Sequence, residues 1–457
     1  MSKSKQKIDR LLDQGVSLYN QHHYQKSIEA FEQSILLDKS CSKCWSNLGA
    51  ALSKMERYSD AINCYQKAIA ITPEYAGTYT NLGNALNKLG EYEQAIYFHL
   101  KAIDLDETSP NHFANCGSAY KNIGRFDRAQ KMYEKALSLE PTHVNAHFDL
   151  ATVLLQTNQS SKGFLEYEWR FKKEQMQGHI TRYRSIFSRP VYKGQKLSGE
   201  RVLIHAEQGF GDALMVARYL FELKNRGARV VVYIREGLET LFKSMVCVDE
   251  VVSRSEAIPQ SEYQLPMMSL PLVCDASLKN LQVHYPYFNV KKTMDQESDK
   301  IKIGIVWGAS NSGESYKNKV FNLRHFSVMA KDANLQLYSL QLGEDVEDIK
   351  RYNLEEAIID LSSNIDDFET TAALINGLDL VITSDTSVAH LAGAIGAKVW
   401  ILLQKVPDWR WGVDGVQSRW YPSARLFRQH SLGDWNSVFK EVYQALEEEF
   451  NIEVAGV

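Results

Sequence analysis

Small and aromatic residues recur along the first third of the chain at one fixed interval. Gly15, Gly49, Gly83 and Gly117 are each 34 apart, and Ala151 falls on the next step. Leu11, Trp45, Tyr79, Phe113 and His147 keep the same spacing. So do Ala61, Ala95 and Ala129, preceded by Ser27, and Ala68, Ala102 and Ala136, preceded by Ser34; Pro73 and Pro141 close two of the units. Small residues at fixed places let two antiparallel helices approach closely, and the apolar face each pair exposes is covered by the next pair. The pattern predicts an all-α solenoid over 8–172, with four clear units and a degenerate fifth. Beyond it the pattern turns to short apolar runs alternating with helical stretches. Runs at 201–206, 230–234, 302–307, 336–340, 358–361, 380–383 and 399–403 read as buried parallel strands. Stretches 213–223, 368–378 and 437–449 read as helices. Alternating strand and helix predicts two Rossmann-like α/β halves facing across a cleft, 173–297 and 298–457, with a polar hinge at 295–300. The final helix is expected to cross back to the first half.

An interval of 34 with small residues at fixed places is the signature of tetratricopeptide (TPR) repeats. Their first helices line an inner, concave face. Asn47, Asn81, Asn84 and Asn115 lie there, with Tyr19, Asn87 and Asn122 nearby. An Asn-rich inner face hydrogen-bonds an extended peptide backbone while reading little of its sequence. Ordinary solvated positions explain the same residues, and a spacer or dimerisation module is the alternative for the array. The aromatic run at 166–171 needs a surface to bury against and is expected to dock the solenoid onto the α/β region.

Candidate chemistry sits in two loops. In the second half, the strand at 380–383 runs into Ser384, Asp385, Thr386 and Ser387, then a helix of small and apolar residues to Ile395, with Gly396 as C-cap. Hydroxyls and backbone N–H groups at a helix N-terminus bind phosphate without Lys or Arg. Asp385 would repel phosphate and is better placed to accept from sugar hydroxyls beside it, so the expectation is a nucleotide sugar. In the first half, Glu207 to Asp212 is a glycine loop after a strand. A dinucleotide fingerprint needs glycine where Leu214 stands, and Asp212 would face a pyrophosphate with the wrong charge, so NAD and FAD are disfavoured. Asp212 is the candidate general base, with Glu207 and His205 as rivals and a helix-capping role as the plain alternative.

Composition narrows the classes. The 457 residues carry a net charge of −4, which gives no reason to expect nucleic acid or an acidic membrane surface as partner. The start lacks a signal-peptide apolar run, no segment is long enough to span a bilayer, and six scattered cysteines suit a reducing cytoplasm. Cys41 and Cys44 form a CxxC pair without a second pair at zinc-site spacing.

Four stretches together resemble a known family. HAEQGFGDAL (205–214), KIGIVW (302–307), DTSVAH (385–390) and PDWRW (407–411) are similar to motifs of the heptosyltransferase-like GT-B glycosyltransferases. The whole layout resembles bacterial tetratricopeptide glycosyltransferases, flagellin-modifying ones among them, and more distantly the O-GlcNAc transferases. The resemblance implies a TPR solenoid followed by a GT-B fold, and sugar transfer from a nucleotide-sugar donor to a Ser or Thr hydroxyl of a protein client. It implies Asp212 as base and Gly209, Gly211, Trp307, Gly308, Lys319, Asp385, Thr386, Ser387 and His390 on the donor. The chain departs from the family after Lys319, where Val320, Phe321 and Asn322 replace a proline-containing run. No cofactor or metal is expected; the metal-binding Asp-x-Asp pattern of other transferases occurs only as Asp104-Leu105-Asp106, at a repeat-helix end. Two other readings stay open: a TPR scaffold or chaperone with a degenerate transferase domain, and a GT-B-type nucleotide-sugar epimerase.

Overall fold

A computed structural model describes residues 3–207, 209–274, 284–291, 299–309 and 319–454. Gln208, Ser310, Asn311 and Lys317, and most of the expected hinge, lie outside the described residues. The chain divides into two compact units, Met1–Leu154 and Leu155–Val457. The division falls inside the fifth repeat, so that repeat's second helix groups with the α/β part.

The first unit is a run of paired helices: α1 (Lys3–Asn20) with α2 (Tyr24–Leu37), α3 (Ser42–Lys54) with α4 (Tyr58–Ile71), α5 (Ala76–Lys88) with α6 (Tyr92–Leu105), and α7 (Pro110–Asn122) with α8 (Phe126–Leu139). Helix α9 (Val144–Gln156) begins the fifth pair and α10 (Ser160–Tyr167) ends it. The glycine rung has a direct cause. A Cβ on Gly15, Gly49, Gly83 or Gly117 would meet the ring of Phe31, Tyr65, His99 or Tyr133 at 2.4, 2.6, 2.6 and 2.8 Å. Each pair is therefore closed by an aromatic ring of its second helix lying on the glycine of its first. The alanine rungs at 61, 95, 129 and at 68, 102, 136 are fully buried. Ser27, in one of those places, offsets its buried hydroxyl by donating to Gly15 O at 2.8 Å. Cys41 and Cys44 are joined in a disulfide at the start of α3, a pairing that the reading of scattered cysteines did not include. Asp106 of the Asp-x-Asp match accepts from Thr108 N and Oγ1 at 3.0 and 2.6 Å, which makes it part of the turn into α7.

The second unit holds two all-parallel sheets. One has the order β3-β2-β1-β4, from β1 (Arg201–His205), β2 (Arg229–Ile234), β3 (Glu250–Ser253) and β4 (Tyr263–Pro266). The other has the order β10-β9-β8-β5-β6-β7, from β5 (Ile301–Val306), β6 (Leu335–Ser339), β7 (Ile358–Asp360), β8 (Leu380–Ser384), β9 (Val399–Leu403) and β10 (Ala424–Arg428). The predicted helix over 213–223 is instead α11 (Phe210–Val216), a 3-10 turn at Ala217–Tyr219 and a further helical turn at Leu220–Asn225. In the second half, α12 (Phe368–Ile375) leads into β8, and α13 (Ser387–Ala394) follows it. Gly396, at φ 79°, closes α13 with Gly396 N donating to Gly393 O and Ala397 N to Ala392 O, as a left-handed C-cap requires.

The final helix, α14 (Trp435–Phe450), departs from expectation. Its apolar face, with Val438, Phe439, Val442 and Leu446, shares one core with Phe321, Phe326, Leu337 and Ile382, and Tyr443 OH donates to His325 O. That face is spent on the second half, so the helix does not cross back.

Candidate functional site

Strand order reverses at two places, between β1 and β4 and between β5 and β8, and open parallel sheets bind ligands outside the strand carboxyl ends at such points. The loop to Asp212 follows β1. Trp307 and Gly308 follow β5, and Asp385 follows β8. The two reversals come together through α11 and α13. Gly211 lies so close to His390 that a Cβ there would stand 2.7 Å from the ring's Cδ2. Gly209 has extended backbone (φ −70°, ψ 169°) and, among the described residues, only Asp212 Oδ2 near its Cβ position, at 3.9 Å. Of the two loop glycines, one is dictated by packing.

Both carboxylates are partly exposed and ion-paired. Asp212 accepts from Arg410 Nε at 3.0 Å and from Arg410 Nη2. Arg410 Nη1 donates to Asp408 at 2.5 Å. Asp385 accepts from Trp411 Nε1 at 2.8 Å on one oxygen and from Lys319 Nζ at 2.7 Å on the other, so it fixes a cation and an indole. Burial works against its ionisation, but Lys319, His390 and the two hydrogen bonds hold its pKa below the ordinary carboxylate value. Burial likewise opposes the charge on Lys319, and Asp385 and Asp408 outweigh it, so its pKa rises. Arg410 stays charged despite burial because Asp212 and Asp408 flank it. His390 is pushed down to about 4 by burial, with Asp385 pulling the other way, and is neutral at neutral pH. Its Nδ1 shares a 2.8 Å hydrogen bond with Tyr421 OH, and its ring stacks on Trp411 with centroids 5.0 Å apart.

Thr386 stands at the N-cap of α13 in extended backbone (φ −129°, ψ 172°), and its hydroxyl does not cap the helix. Its Oγ1 lies 3.0 Å from Thr383 Oγ1. The first N–H groups of α13, from Ser387 on, are thus left uncapped by that side chain. Trp307 N and Gly308 N both donate to Gln341 Oε1, at 3.2 and 2.9 Å, and a Cβ on Gly308 would collide with Asp345. Trp307 Nε1 and Ser384 Oγ are buried with no partner among the described residues.

The rival bases are committed elsewhere. Glu207 accepts from Arg170 Nε and Nη2 at 3.2 and 2.7 Å and from Met267 N at 3.0 Å; burial raises its pKa and Arg170 pulls it back. His205 shares a hydrogen bond with Gln264 Oε1 at 2.9 Å, and burial pushes it down to about 4. Sequence reasoning missed Arg410, Asp408 and Trp411 as site residues. The signal that could have found them was the PDWRW stretch (407–411), which carries the family resemblance and holds all three.

In the first unit, Asn47, Asn81 and Asn115 occupy one helix position 34 apart, and with Asn84 are half-buried on first helices. Asn122 Nδ2 donates to Asn87 Oδ1 at 3.0 Å, so that pair is spent across repeats.

Comparison with known proteins bears on the first unit most directly. A TPR repeat profile matches residues 51–90, and tetratricopeptide repeat profiles match 74–140 and 124–162. The chain is 24% identical over 332 residues to Protein FlbA of Caulobacter vibrioides, a match covering 65% of this chain and 54% of that protein. The matched length is thus about half of that relative. Among solved structures, MamA is similar at 21% identity over 36% of this chain and 96% of its own (TM-score 0.32). A thermophilic TPR protein of Thermus thermophilus is similar at 22% identity over 39% of this chain and 97% of its own (TM-score 0.34). The chain is a TPR-repeat protein with an α/β region of parallel sheets after the repeats.

Proposed function

We propose that the chain is a GT-B-type glycosyltransferase that moves a sugar from a nucleotide-sugar donor to a Ser or Thr hydroxyl of a flagellin-like protein client. The reading is supported chiefly by the meeting of Asp212 and Asp385 through Arg410, Trp411 and Lys319, with the uncapped start of α13 beside them. Asp212 takes the hydroxyl proton as the hydroxyl oxygen attacks the anomeric carbon. The bond from that carbon to the donor phosphate breaks, and its electron pair leaves on the phosphate oxygen. Growing charge there meets Lys319 and the α13 amides of Ser387 and its neighbour, where stabilisation is most effective. Trp307 and Gly308 wall the nucleotide pocket, Gly211 sets the approach of α11 to His390, and Gly209 leads the loop. Asn47, Asn81, Asn84 and Asn115 hold the client backbone. No metal or cofactor is assigned a role.

The committed state of Asp212 favours one competing reading, a repeat scaffold whose transferase half is inert. Intact-mass measurement separates the two. Candidate clients incubated with the chain and an ADP-heptose, CMP-nonulosonate or UDP-sugar donor gain one or more glycosyl masses, the gain survives EDTA, and Asp212→Asn removes it. Calorimetry without heat for any of the three donor classes, together with unchanged client mass, leaves only the scaffold.

A further inference from the structure

Asp212, the proposed base, is ion-paired to Arg410, and the surroundings of that arginine indicate why the pair is there. Asp212 and Asp408 pair with Arg410, Asp385 pairs with Lys319, and the two groups are joined through Trp411, which follows Arg410 and donates to Asp385. Arg410 divides its guanidinium: Nε and Nη2 face Asp212 across the two sheets' reversals, while Nη1 is held by Asp408 two residues away in its own turn. The Asp408 carboxylate also accepts from Arg410 N at 3.1 Å, so carboxylate and turn are one rigid piece. The plane of the guanidinium lies over Trp409, 4.6 Å from the ring centroid. One edge is therefore anchored locally and the other reaches to the opposite half.

The geometry points to Arg410 as a cation that changes partner during transfer, pairing with Asp212 beforehand and with the leaving phosphate afterwards. The inference rests on the nucleotide-sugar reading above and assigns a residue that reading does not use. The charge balance makes the exchange self-consistent. As the acceptor oxygen bonds to the anomeric carbon, its proton passes to Asp212, which loses its negative charge. In the same step the carbon–oxygen bond to the donor phosphate breaks, and the departing phosphate gains one negative charge. Arg410 is released where charge disappears and is needed where charge appears. A buried ion left alone is costly, and this exchange leaves none at either stage. Asp408 keeps hold of Nη1, so the guanidinium turns about that edge while Nε and Nη2 are transferred. Lys319, fixed by Asp385, is the stationary cation of the site.

The test is nucleotide calorimetry on the full chain with UDP, ADP, GDP and CMP as probes, for the unaltered protein and for Asp212→Asn, Arg410→Gln and Arg410→Lys. Removing the Asp212 charge releases the guanidinium, so Asp212→Asn binds the matching nucleotide on the order of tenfold more tightly, while Arg410→Gln binds it on the order of tenfold more weakly. Arg410→Lys, which keeps the charge, falls between Arg410→Gln and the unaltered chain. A purely structural bridge gives the opposite sign for the first variant: Asp212→Asn weakens binding or leaves it unchanged, and that result overturns the inference. If none of the four nucleotides binds the unaltered chain, the underlying transferase reading fails instead, which is a distinguishable result.

Discussion

His99 marks where the repeat pattern and the chemistry of a single side chain disagree. The equivalent ring is Phe31, Tyr65 or Tyr133 in the other pairs, each lying on the glycine of the partner helix. His99 is fully buried in that place, and neither ring nitrogen has a partner among the described residues. Burial, with His112 adding to it, pushes its pKa from 6.5 to about 4. The folded state therefore holds the ring neutral, while the unfolded chain protonates it at ordinary acidity. Its stabilising balance is complete above pH 6.5 and is lost as pH falls toward 4, on the order of 3 kcal/mol over that window. His99→Phe restores the ring without stranded nitrogens and should gain roughly 1–3 kcal/mol at pH 7. Thermal unfolding followed from pH 7 to 4 checks both parts: the variant melts higher, and the gap between the two proteins widens on acidification. A constant gap would mean that His99 does not titrate on unfolding. At this scale the sequence was partly legible. The glycine rung, Asp212 and Asp385 could be found from local pattern alone, because spacing and loop position mark them. The partners of Asp212 and Glu207 could not, since they are Arg410, 198 positions away, and Arg170, 37 positions away.

At the scale of elements, α11 and α13 are held at a distance set by one missing side chain. Gly211→Ala would put a methyl group 2.7 Å from the His390 ring, whose other contacts, Tyr421 and Trp411, leave it no room to retreat. Overpacking of this kind costs about 1–3 kcal/mol. Gly209→Ala meets nothing closer than 3.9 Å among the described residues, in backbone any residue adopts, so it should be neutral within about 0.5 kcal/mol. Chemical denaturation of the two variants side by side makes the comparison. Equal losses would show that the loop as a whole, and not the contact with His390, requires glycine. The strands show the same division between local and distant causes. Apolar, fully buried runs such as 380–384 and 399–403 announce themselves. The missed strands are those whose sequence is mixed. β3 carries Glu250 and has no fully buried residue before Ser253, β4 begins Tyr263-Gln264, and β10 carries Arg425 and Arg428 among its apolar groups. Their strand form comes from pairing with β2, β1 and β9, which no local pattern records.

For the whole molecule, the division after Leu154 decides where it can be cut. Of the aromatic run at 166–171, Tyr167 is buried and packs on Trp409 with ring centroids 6.0 Å apart, as Phe164 of the fifth repeat does, next to Arg410. Arg170 enters the core of the α/β unit, paired with Glu207 of the glycine loop and with Glu168, and hydrogen-bonded to Ser269. A chain starting at Leu155 keeps all of these contacts and should fold cooperatively. On the proposed transferase reading it binds the nucleotide but loses modification of the protein client together with the repeat array. A chain starting at residue 173 looks almost the same on paper, and by the repeat pattern alone it would be the natural boundary. It strips Arg170 from Glu207, leaving a fully buried carboxylate without its cation, and removes the rings that cover Trp409. Breaking one side of such a pair costs roughly 3–5 kcal/mol, a large part of what holds an ordinary domain together. The shorter chain should therefore unfold or aggregate at about 25 °C. Circular dichroism and nucleotide calorimetry on both truncations read this directly. Equal stability of the two would mean that Arg170 and the rings before it are a linker and not part of the α/β core.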